Sequence, residues 1–145
     1  MYDMEQYYQA TSVADAIAAL GADPAAMPIA GGTDVLIQTR EGRHAGCHLV
    51  SLHGLSELSA IRAEEDGTLV IGSGCTFSEI TNAPLLRPHI NMLCQAVDQV
   101  GSPQIRNMGT IGGNVCNGVT SADSAPSLMA LNAVLEVQGP SGKRL

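Results

Sequence analysis

Early in the chain the sequence reads Met27-Pro28-Ile29-Ala30-Gly31-Gly32-Thr33-Asp34-Val35-Leu36-Ile37-Gln38. The apolar residues before the glycine pair are typical of a short buried strand, and those after Asp34 favour a helix. A glycine pair at such a junction lets backbone N–H groups approach an anion, because no Cβ blocks the way. The start of a helix adds further free N–H groups. The sequence therefore predicts a strand, an anion-binding turn and a helix.

A second turn with the same plan lies far downstream, at Thr110-Ile111-Gly112-Gly113-Asn114. Thr110 adds a hydroxyl and Asn114 an amide to the glycine pair. Neither turn is a Walker A loop, because no Gly-Lys-Ser/Thr follows, and neither fits the pattern G-x-G-x-x-G. A glycine pair alone more often serves turn geometry than a ligand. Two such turns in different parts of the chain nevertheless favour a diphosphate held between them.

The pattern before the second turn predicts alternating helices and strands. Apolar positions at helical spacing after Ser12 predict a helix that Gly21 ends. Residues 47–52 predict a strand, and Asp66-Gly67 between two β-rich runs predicts a hairpin. Apolar spacing over 92–100 predicts another helix.

The last part of the chain is harder to interpret. Residues 101–126 are rich in Gly, Ser, Thr and Asn. Apolar residues recur at regular intervals among them, which favours a packed functional loop over disorder. Residues 128–133 predict a short helix and 134–138 a strand. A turn follows at 139–142, so the chain is expected to stop where a partner strand should begin.

Composition excludes several functional classes. The 145 residues suit one domain, or two small lobes that share a core. A net charge of −7 argues against a nucleic-acid partner. No apolar run approaches the roughly 20 residues of a membrane helix, and the acidic N-terminus lacks the plan of a signal peptide. The sequence therefore predicts a cytoplasmic protein.

Cysteine and histidine spacing argues against a metal site. The four cysteines form no CxxC pair, and the four histidines have no HxxxH or HxH spacing. Reduced thiols are the expected state of the cysteines.

Three motifs together resemble a known family. They are Ala30-Gly31-Gly32-Thr33-Asp34, Gln104-Ile105-Arg106-Asn107-Met108-Gly109-Thr110-Ile111-Gly112-Gly113-Asn114 and Ser121-Ala122-Asp123-Ser124-Ala125-Pro126. In order and spacing they resemble the FAD-binding (medium) subunit of the molybdenum hydroxylases, and Asn117-Gly118 leans towards the purine (xanthine dehydrogenase) branch.

The resemblance implies an α+β, two-lobed FAD-binding fold of the PCMH / vanillyl-alcohol-oxidase type, with FAD between the lobes. Residues 1–54 would form a first lobe with a small parallel-type sheet and helices. Residues 55–145 would form a second lobe with an antiparallel sheet and helices. Because the family's subunit is about twice this length, the second lobe would be incomplete and the C-terminal domain absent.

The resemblance also implies the cofactor contacts. Residues of the first turn would line the pyrophosphate, residues of the second turn would contact the phosphates and flavin, Val100 would be an apolar contact, and Asp123 would bind ribose hydroxyls. The implied FAD-binding residues are Pro28, Ile29, Ala30, Gly31, Gly32, Thr33, Asp34, Val35, Val100, Thr110, Gly112, Gly113, Asn114 and Asp123. A side-chain N-cap is the alternative role for Asp123. No catalytic residue and no metal ligand is implied.

The function implied is electron transfer in a heterotrimer of purine metabolism. Electrons would leave a molybdopterin cofactor on a large subunit, pass two 2Fe-2S clusters on a small subunit, and reach FAD here on their way to NAD or another acceptor. Two alternatives stay open. The chain could be a truncated or non-catalytic assembly module, or a different FAD-dependent oxidoreductase of the same fold.

Overall fold

The strand predicted before the first glycine turn is β2, Ala26–Ile29, in a computed structural model that describes residues 3–145. It pairs in parallel with β3, Cys47–Ser51, and β3 pairs in parallel with β1, Met4–Gln9, giving the order β1-β3-β2. Strand β1 was not predicted from the sequence. All six of its residues are exposed, so it lacks the apolar pattern that revealed the other two strands.

Helices connect the three parallel strands. Helix α1, Val13–Ala22, joins β1 to β2, and α2, Val35–Arg40, joins β2 to β3. Ser12 caps α1 by accepting a hydrogen bond of 3.0 Å from the backbone N–H of Asp15. The predicted end of α1 at Gly21 is slightly wrong, because the helix includes Gly21 and ends at Ala22.

Small apolar clusters pack on this sheet. One joins Val50 to Ala16 of α1 and to Leu55, and the other joins Leu49 to Ile29 and, at its edge, to Val35 and Leu36. The helix after the first glycine turn is thus fixed to the sheet by its own apolar residues.

The larger core lies further along the chain. A single 3-10 turn, Ser56–Leu58, leads to the antiparallel hairpin of β4, Ile61–Ala63, and β5, Leu69–Ile71, as predicted. Helix α3, Phe77–Asn82, begins with a capping box of Thr76 and Glu79. Helix α4 spans Arg87–Val97. The core cluster combines residues of these two helices and of the chain that flanks them with one residue of a later helix; the members are Cys75, Phe77, Ile80, Ala83, Leu86, Leu93, Cys94, Val97 and Ile111.

The prediction of a loop over 101–126 is wrong for most of that segment. It contains α5, Pro103–Met108, and α6, Ile111–Asn117, and the start of α7, Ser124–Ala130. Ser102 and Thr110 cap the first two helices, and Gly118 ends α6 in the left-handed region at φ 66°. Caps and tertiary packing therefore outweigh the low helix propensity of the glycine pair.

The chain ends in a short antiparallel hairpin. Strand β6, Val137–Gly139, pairs with β7, Gly142–Arg144. The expectation that no partner strand follows the turn at 139–142 was therefore wrong. The parallel sheet lies within 1–54 and both hairpins within 55–145, although Leu55 packs with the first sheet. The lobe boundary itself stays a prediction.

Candidate cofactor site

The first glycine turn lies against the segment that leads into the second. A Cβ built on Gly31 would lie 1.8 Å from the carbonyl oxygen of Met108 and 3.1 Å from the Cα of Gly109. No side chain fits in that space, so glycine at position 31 is what allows the first turn to reach the segment that leads into the second. The structure thus brings together two predicted motifs that are far apart in sequence.

A side-chain hydrogen bond joins the same two regions. The amide Nδ2 of Asn117, at the end of α6, donates to the carboxylate Oδ2 of Asp34, which precedes α2. Asp34 was predicted to line the pyrophosphate. Because one of its oxygens is engaged with Asn117, the carboxylate orients the first turn relative to α6. The sequence analysis did not single out Asn117 for this role.

The first turn presents backbone donors that nothing else uses. Within residues 3–145, none of the N–H groups of Gly31, Gly32, Thr33 and Asp34 donates a hydrogen bond. The carbonyl of Gly32 accepts from the N–H of Leu36 at 3.1 Å, and Gly32 adopts φ +69°, which glycine tolerates best. Free N–H groups in a glycine-rich turn are suited to bind phosphate oxygens.

The second turn is different, because four of its five backbone N–H groups are already engaged and, within residues 3–145, only that of Thr110 donates no hydrogen bond. Their acceptors lie within the chain: Ile111 donates to the Cys75 carbonyl at 3.0 Å, Gly112 to the Ser73 carbonyl at 2.9 Å, Gly113 to Thr110 Oγ1 at 3.1 Å and Asn114 to the Thr110 carbonyl at 3.0 Å. The N–H groups of the glycine pair therefore cannot hold a phosphate here, which was the chemistry expected from the sequence. The side chains and the N–H group of Thr110 remain as the donors of this turn.

The two glycines of the second turn have different reasons to be glycine. A Cβ on Gly112 would lie 2.6 Å from the carbonyl oxygen and from the Cβ of Ser73, so packing requires glycine there. A Cβ on the exposed Gly113 would approach only Thr110 Oγ1, at 3.0 Å. Packing therefore does not require glycine at position 113 as it does at position 112. Space for a ligand over the backbone is a better reason for this glycine.

Asn114 is the polar side chain of α6 that remains available to a ligand. Its Oδ1 accepts a hydrogen bond from the hydroxyl of Ser124, which is fully buried at the start of α7. Its Nδ2 donates to no acceptor within residues 3–145. This hydrogen bond fixes the position of the amide, while the NH2 group stays free.

Asp123 is exposed and sits at the N-cap position of α7, yet its side chain makes no cap hydrogen bond. Its alternative role as the N-cap of this helix is thus confirmed in position, but the side-chain hydrogen bond of such a cap is absent. Its carboxylate accepts no hydrogen bond within the described residues, so it stays available for hydroxyl groups. Asp123 directly precedes Ser124, whose hydroxyl holds Asn114.

The apolar residues predicted for the site differ in how deeply they are buried. Ile29 is 8% exposed and belongs to the core beneath the sheet, so any ligand contact from it comes from its backbone. Val100 is half-buried against the larger core and lies beyond the end of α4. Pro28 is exposed on β2, whereas Ala30 and Val35 are half-buried. That these residues contact a cofactor stays a prediction.

Arg106 is not a free cation facing the turns. Its Nη1 donates to the carbonyls of Val100 at 3.2 Å and Gly101 at 3.0 Å, and its Nε lies 3.5 Å from a carboxylate oxygen of Asp98. The arginine thus fixes the link between α4 and α5. Electrostatic attraction near the turns comes from neutral N–H dipoles rather than from this side chain.

An apolar groove of about 270 Å³ begins at Asn114 and continues along α6, α7 and residues 133–135. Met129 and Leu135 are exposed along it. Among residues 3–145 no group of three or more His, Cys, Asp or Glu side chains could hold a metal ion. In the same part of the chain no helix has the length and apolar character to cross a membrane.

Comparisons with known proteins agree with this geometry. Residues 2–145 match the FAD binding domain in molybdopterin dehydrogenase. The chain is 44% identical over 144 residues to the xanthine dehydrogenase FAD-binding subunit of Escherichia coli O157:H7, covering 99% of this chain and 49% of that protein. It is 40% identical over 116 residues to the nicotinate dehydrogenase FAD-subunit of Eubacterium barkeri, covering 80% and 39%.

A solved structure shows the same fold. A chain of carbon monoxide dehydrogenase from Hydrogenophaga pseudoflava superposes with a TM-score of 0.95 at 30% identity, over 99% of this chain and 50% of that chain. The fold is thus an α+β FAD-binding fold of the PCMH type. The chain belongs to the family of FAD binding domains in molybdopterin dehydrogenases, and FAD is its cofactor. It spans about half the length of the curated relatives it matches.

Proposed function

We propose that this chain is the FAD-binding part of a cytoplasmic, xanthine dehydrogenase-like molybdenum hydroxylase, and that it passes electrons from iron–sulfur clusters through FAD to NAD or another acceptor. A molybdopterin-binding large subunit and a 2Fe-2S small subunit would be its partners. The observation that carries the proposal is the row of free N–H groups at Gly31, Gly32, Thr33 and Asp34, in a turn that lies against the segment leading into the second turn.

The free donors of the first turn suit the pyrophosphate. A diphosphate is an anion, and the chain carries a net charge of −7, so unspecific attraction does not bring it there. Oriented backbone N–H groups bind phosphate locally without a cation. The proposed contacts are the N–H groups of the first turn, with Pro28, Ile29, Ala30 and Val35 around them.

The second turn then supplies side-chain contacts. Thr110, Gly112, Gly113 and Asn114 form one end of α6, and the Asn114 amide has a free NH2 group for an acceptor on the cofactor. The carboxylate of Asp123 has no partner in the described chain and suits ribose hydroxyls. Val100 is proposed as an apolar contact.

The bound flavin supplies the redox chemistry, as cofactors generally do. The residues of this chain hold and orient FAD, and none of them is proposed to transfer a proton. The names of the relatives support this division, because they describe FAD-binding subunits of xanthine and nicotinate dehydrogenases.

A titration of the purified 145-residue chain with FAD tests the proposal. We expect the flavin fluorescence to change as FAD binds, ADP to compete because it shares the diphosphate, and riboflavin to bind far more weakly. Acid precipitation should release unmodified FAD, since no covalent link is proposed. If equilibrium dialysis shows no retention of FAD, the proposed function fails for this chain.

Electron transfer needs a separate test in the assembled complex. The chain would be co-purified with a molybdopterin-binding large subunit and a 2Fe-2S small subunit, and the flavin absorbance would be followed on addition of the reducing substrate. Bleaching of the flavin absorbance, reversed by NAD, is expected. Bleaching that NAD does not reverse would require another acceptor.

A further inference from the structure

We propose that Ser124 is a positioning residue that sets the orientation of the Asn114 amide, so that its NH2 group faces the cofactor. This inference rests on the proposed function, because it says how one contact of that site is prepared. Ser124 is 0% exposed and is the first residue of α7. Its hydroxyl donates to Oδ1 of Asn114 on α6, ten positions earlier.

The orientation of an asparagine amide needs such a partner. The oxygen and the NH2 group have nearly the same shape, so packing alone does not decide which of them faces a ligand. If Oδ1 faced the cofactor, it would repel a phosphate or flavin oxygen, whereas NH2 donates to either one. A second hydrogen bond therefore has to select the productive orientation.

The Ser124 hydroxyl makes this selection because it is buried. A buried hydroxyl that donates no hydrogen bond is destabilising. Within residues 3–145 the hydroxyl of Ser124 donates only to Asn114 Oδ1. Reversal of the amide would take this acceptor away, so Oδ1 stays towards α7. Nδ2 is then directed away from α7 and keeps both of its protons free.

The arrangement also ties Asn114 to Asp123. Asp123 precedes Ser124 at the start of α7, and its exposed carboxylate is free. The start of α7 therefore carries one residue that would contact the cofactor directly and one that acts through Asn114. Ser124 itself is too deeply buried to touch the cofactor.

The first experiment compares Ser124→Ala with a matched control. Ser127 lies on the same helix and is 6% exposed, and its hydroxyl makes no bond to Asn114. Ser124→Ala is expected to weaken FAD binding about tenfold, which corresponds to one lost hydrogen bond. Ser127→Ala should bind FAD as the parent does. Equal loss in the two variants would overturn the proposal, because it would reflect general damage to α7.

A double-mutant cycle tests whether Ser124 acts through Asn114. The variant that combines Ser124→Ala with Asn114→Ala should bind FAD no more weakly than Asn114→Ala alone. Fully additive losses would contradict the proposal. Ser124→Thr keeps the hydroxyl and should restore most of the affinity that Ser124→Ala loses.

Asn114→Asp tests the orientation without disturbing Ser124. The carboxylate still accepts from the Ser124 hydroxyl, but it offers no donor to the cofactor. We expect a folded protein with the stability of the parent and at least a tenfold loss of FAD affinity. Retained affinity would mean that an oxygen, not NH2, faces the cofactor, and the proposal would be wrong.

Nuclear magnetic resonance keeps the inference separate from the proposed function. In the chain without FAD, the side-chain NH2 signals of Asn114, identified by their loss in Asn114→Ala, should be dispersed in the parent and in Ser127→Ala. They should move to the position of a free asparagine in Ser124→Ala. If the parent binds no FAD, the proposed function fails for this chain, but these signals still decide the role of Ser124. Unchanged signals in Ser124→Ala would overturn it.

Discussion

Gly31 lies against the main chain at Met108, so closely that a Cβ on Gly31 would sit 1.8 Å from the Met108 carbonyl oxygen. The contact joins the end of the parallel sheet to the end of α5, just before Thr110. It explains how the first glycine turn, near the start of the chain, and the second, at Thr110, come to border one site. The site depends on this approach, since FAD needs both turns within reach of one molecule.

Gly31→Ala is expected to separate the two turns. The neighbour is backbone and cannot move aside as a flexible side chain would, so the cost should reach the upper end for overpacking, about 3 kcal/mol. Chemical denaturation followed by circular dichroism measures it. Gly21→Ala is the matched control, because a Cβ there meets nothing within 4 Å and Gly21 lies inside α1. The control should be neutral or stabilised by up to about 1 kcal/mol. Equal stabilities of the two variants would show that the close approach is absent in solution.

Asn117→Ala should loosen the first turn without unfolding the chain. The bond from Asn117 to the exposed Asp34 is expected to contribute about 1 kcal/mol. FAD affinity should fall several-fold, because the N–H groups of the first turn lose their fixed direction towards α6. Isothermal titration with FAD measures this change. Asn91→Ala, on the exposed side of α4, should leave both properties as they are. A large loss of stability with unchanged affinity would assign Asn117 to folding alone.

Gly112 and Gly113 should respond differently to the same substitution. Gly112→Ala places a Cβ 2.6 Å from Ser73, so it should destabilise the fold by about 1 to 3 kcal/mol. Gly113→Ala places its methyl group in mostly open space, so stability should change little, while FAD affinity should fall at least tenfold. Thermal unfolding and FAD titration of both variants separate the two effects. If Gly113→Ala binds FAD as tightly as the parent, no part of the cofactor lies over that glycine.

Much of the fold could be predicted from the sequence, because its strands and amphipathic helices carry apolar patterns. The hairpin at Asp66-Gly67 and the strand before Gly31 were identified in this way. β1 could not be, since its residues are exposed and it is held by pairing with β3. Helices α5 and α6 were hidden by glycine and polar residues, although Ser102 and Thr110 are recognisable caps. A closer search for caps would have found them.

The residues of the candidate site could be predicted from the sequence, but which of their N–H groups are free to bind a ligand could not. Which N–H groups are free depends on distant acceptors, and the carbonyls of Ser73 and Cys75 occupy those of Gly112 and Ile111. No local sequence pattern predicts these distant hydrogen-bond acceptors. For the same reason the sequence suggested one role for both glycine pairs, whereas within residues 3–145 the glycine N–H groups are free in the first pair and engaged in the second.

The pair of His48 and Asp23 should make the stability of the chain depend on pH. His48 on β3 shares a hydrogen bond with Asp23, which follows α1, and its Nε2 lies 3.5 Å from Glu5 on β1. The bond to Asp23, assisted by Glu5, raises the pKa of His48 above its ordinary 6.5. The bond to His48 lowers the pKa of Asp23 below its ordinary 3.8. The charged pair therefore stabilises the first sheet above the folded pKa of Asp23 and up to the raised pKa of His48.

The sign of the effect follows from these two shifts. The contribution of His48 is fully present below pH 6.5 and is lost as the pH rises through its raised folded pKa. The contribution of Asp23 is present above pH 3.8 and is lost as the pH falls through its lowered folded pKa. Thermal unfolding from about pH 6 to about pH 9 should thus show a falling melting temperature in the parent and a flatter profile in His48→Gln. His89→Gln, at an exposed position of α4, is the control and should follow the parent. Parallel profiles for the parent and His48→Gln would show that this pair does not stabilise the sheet.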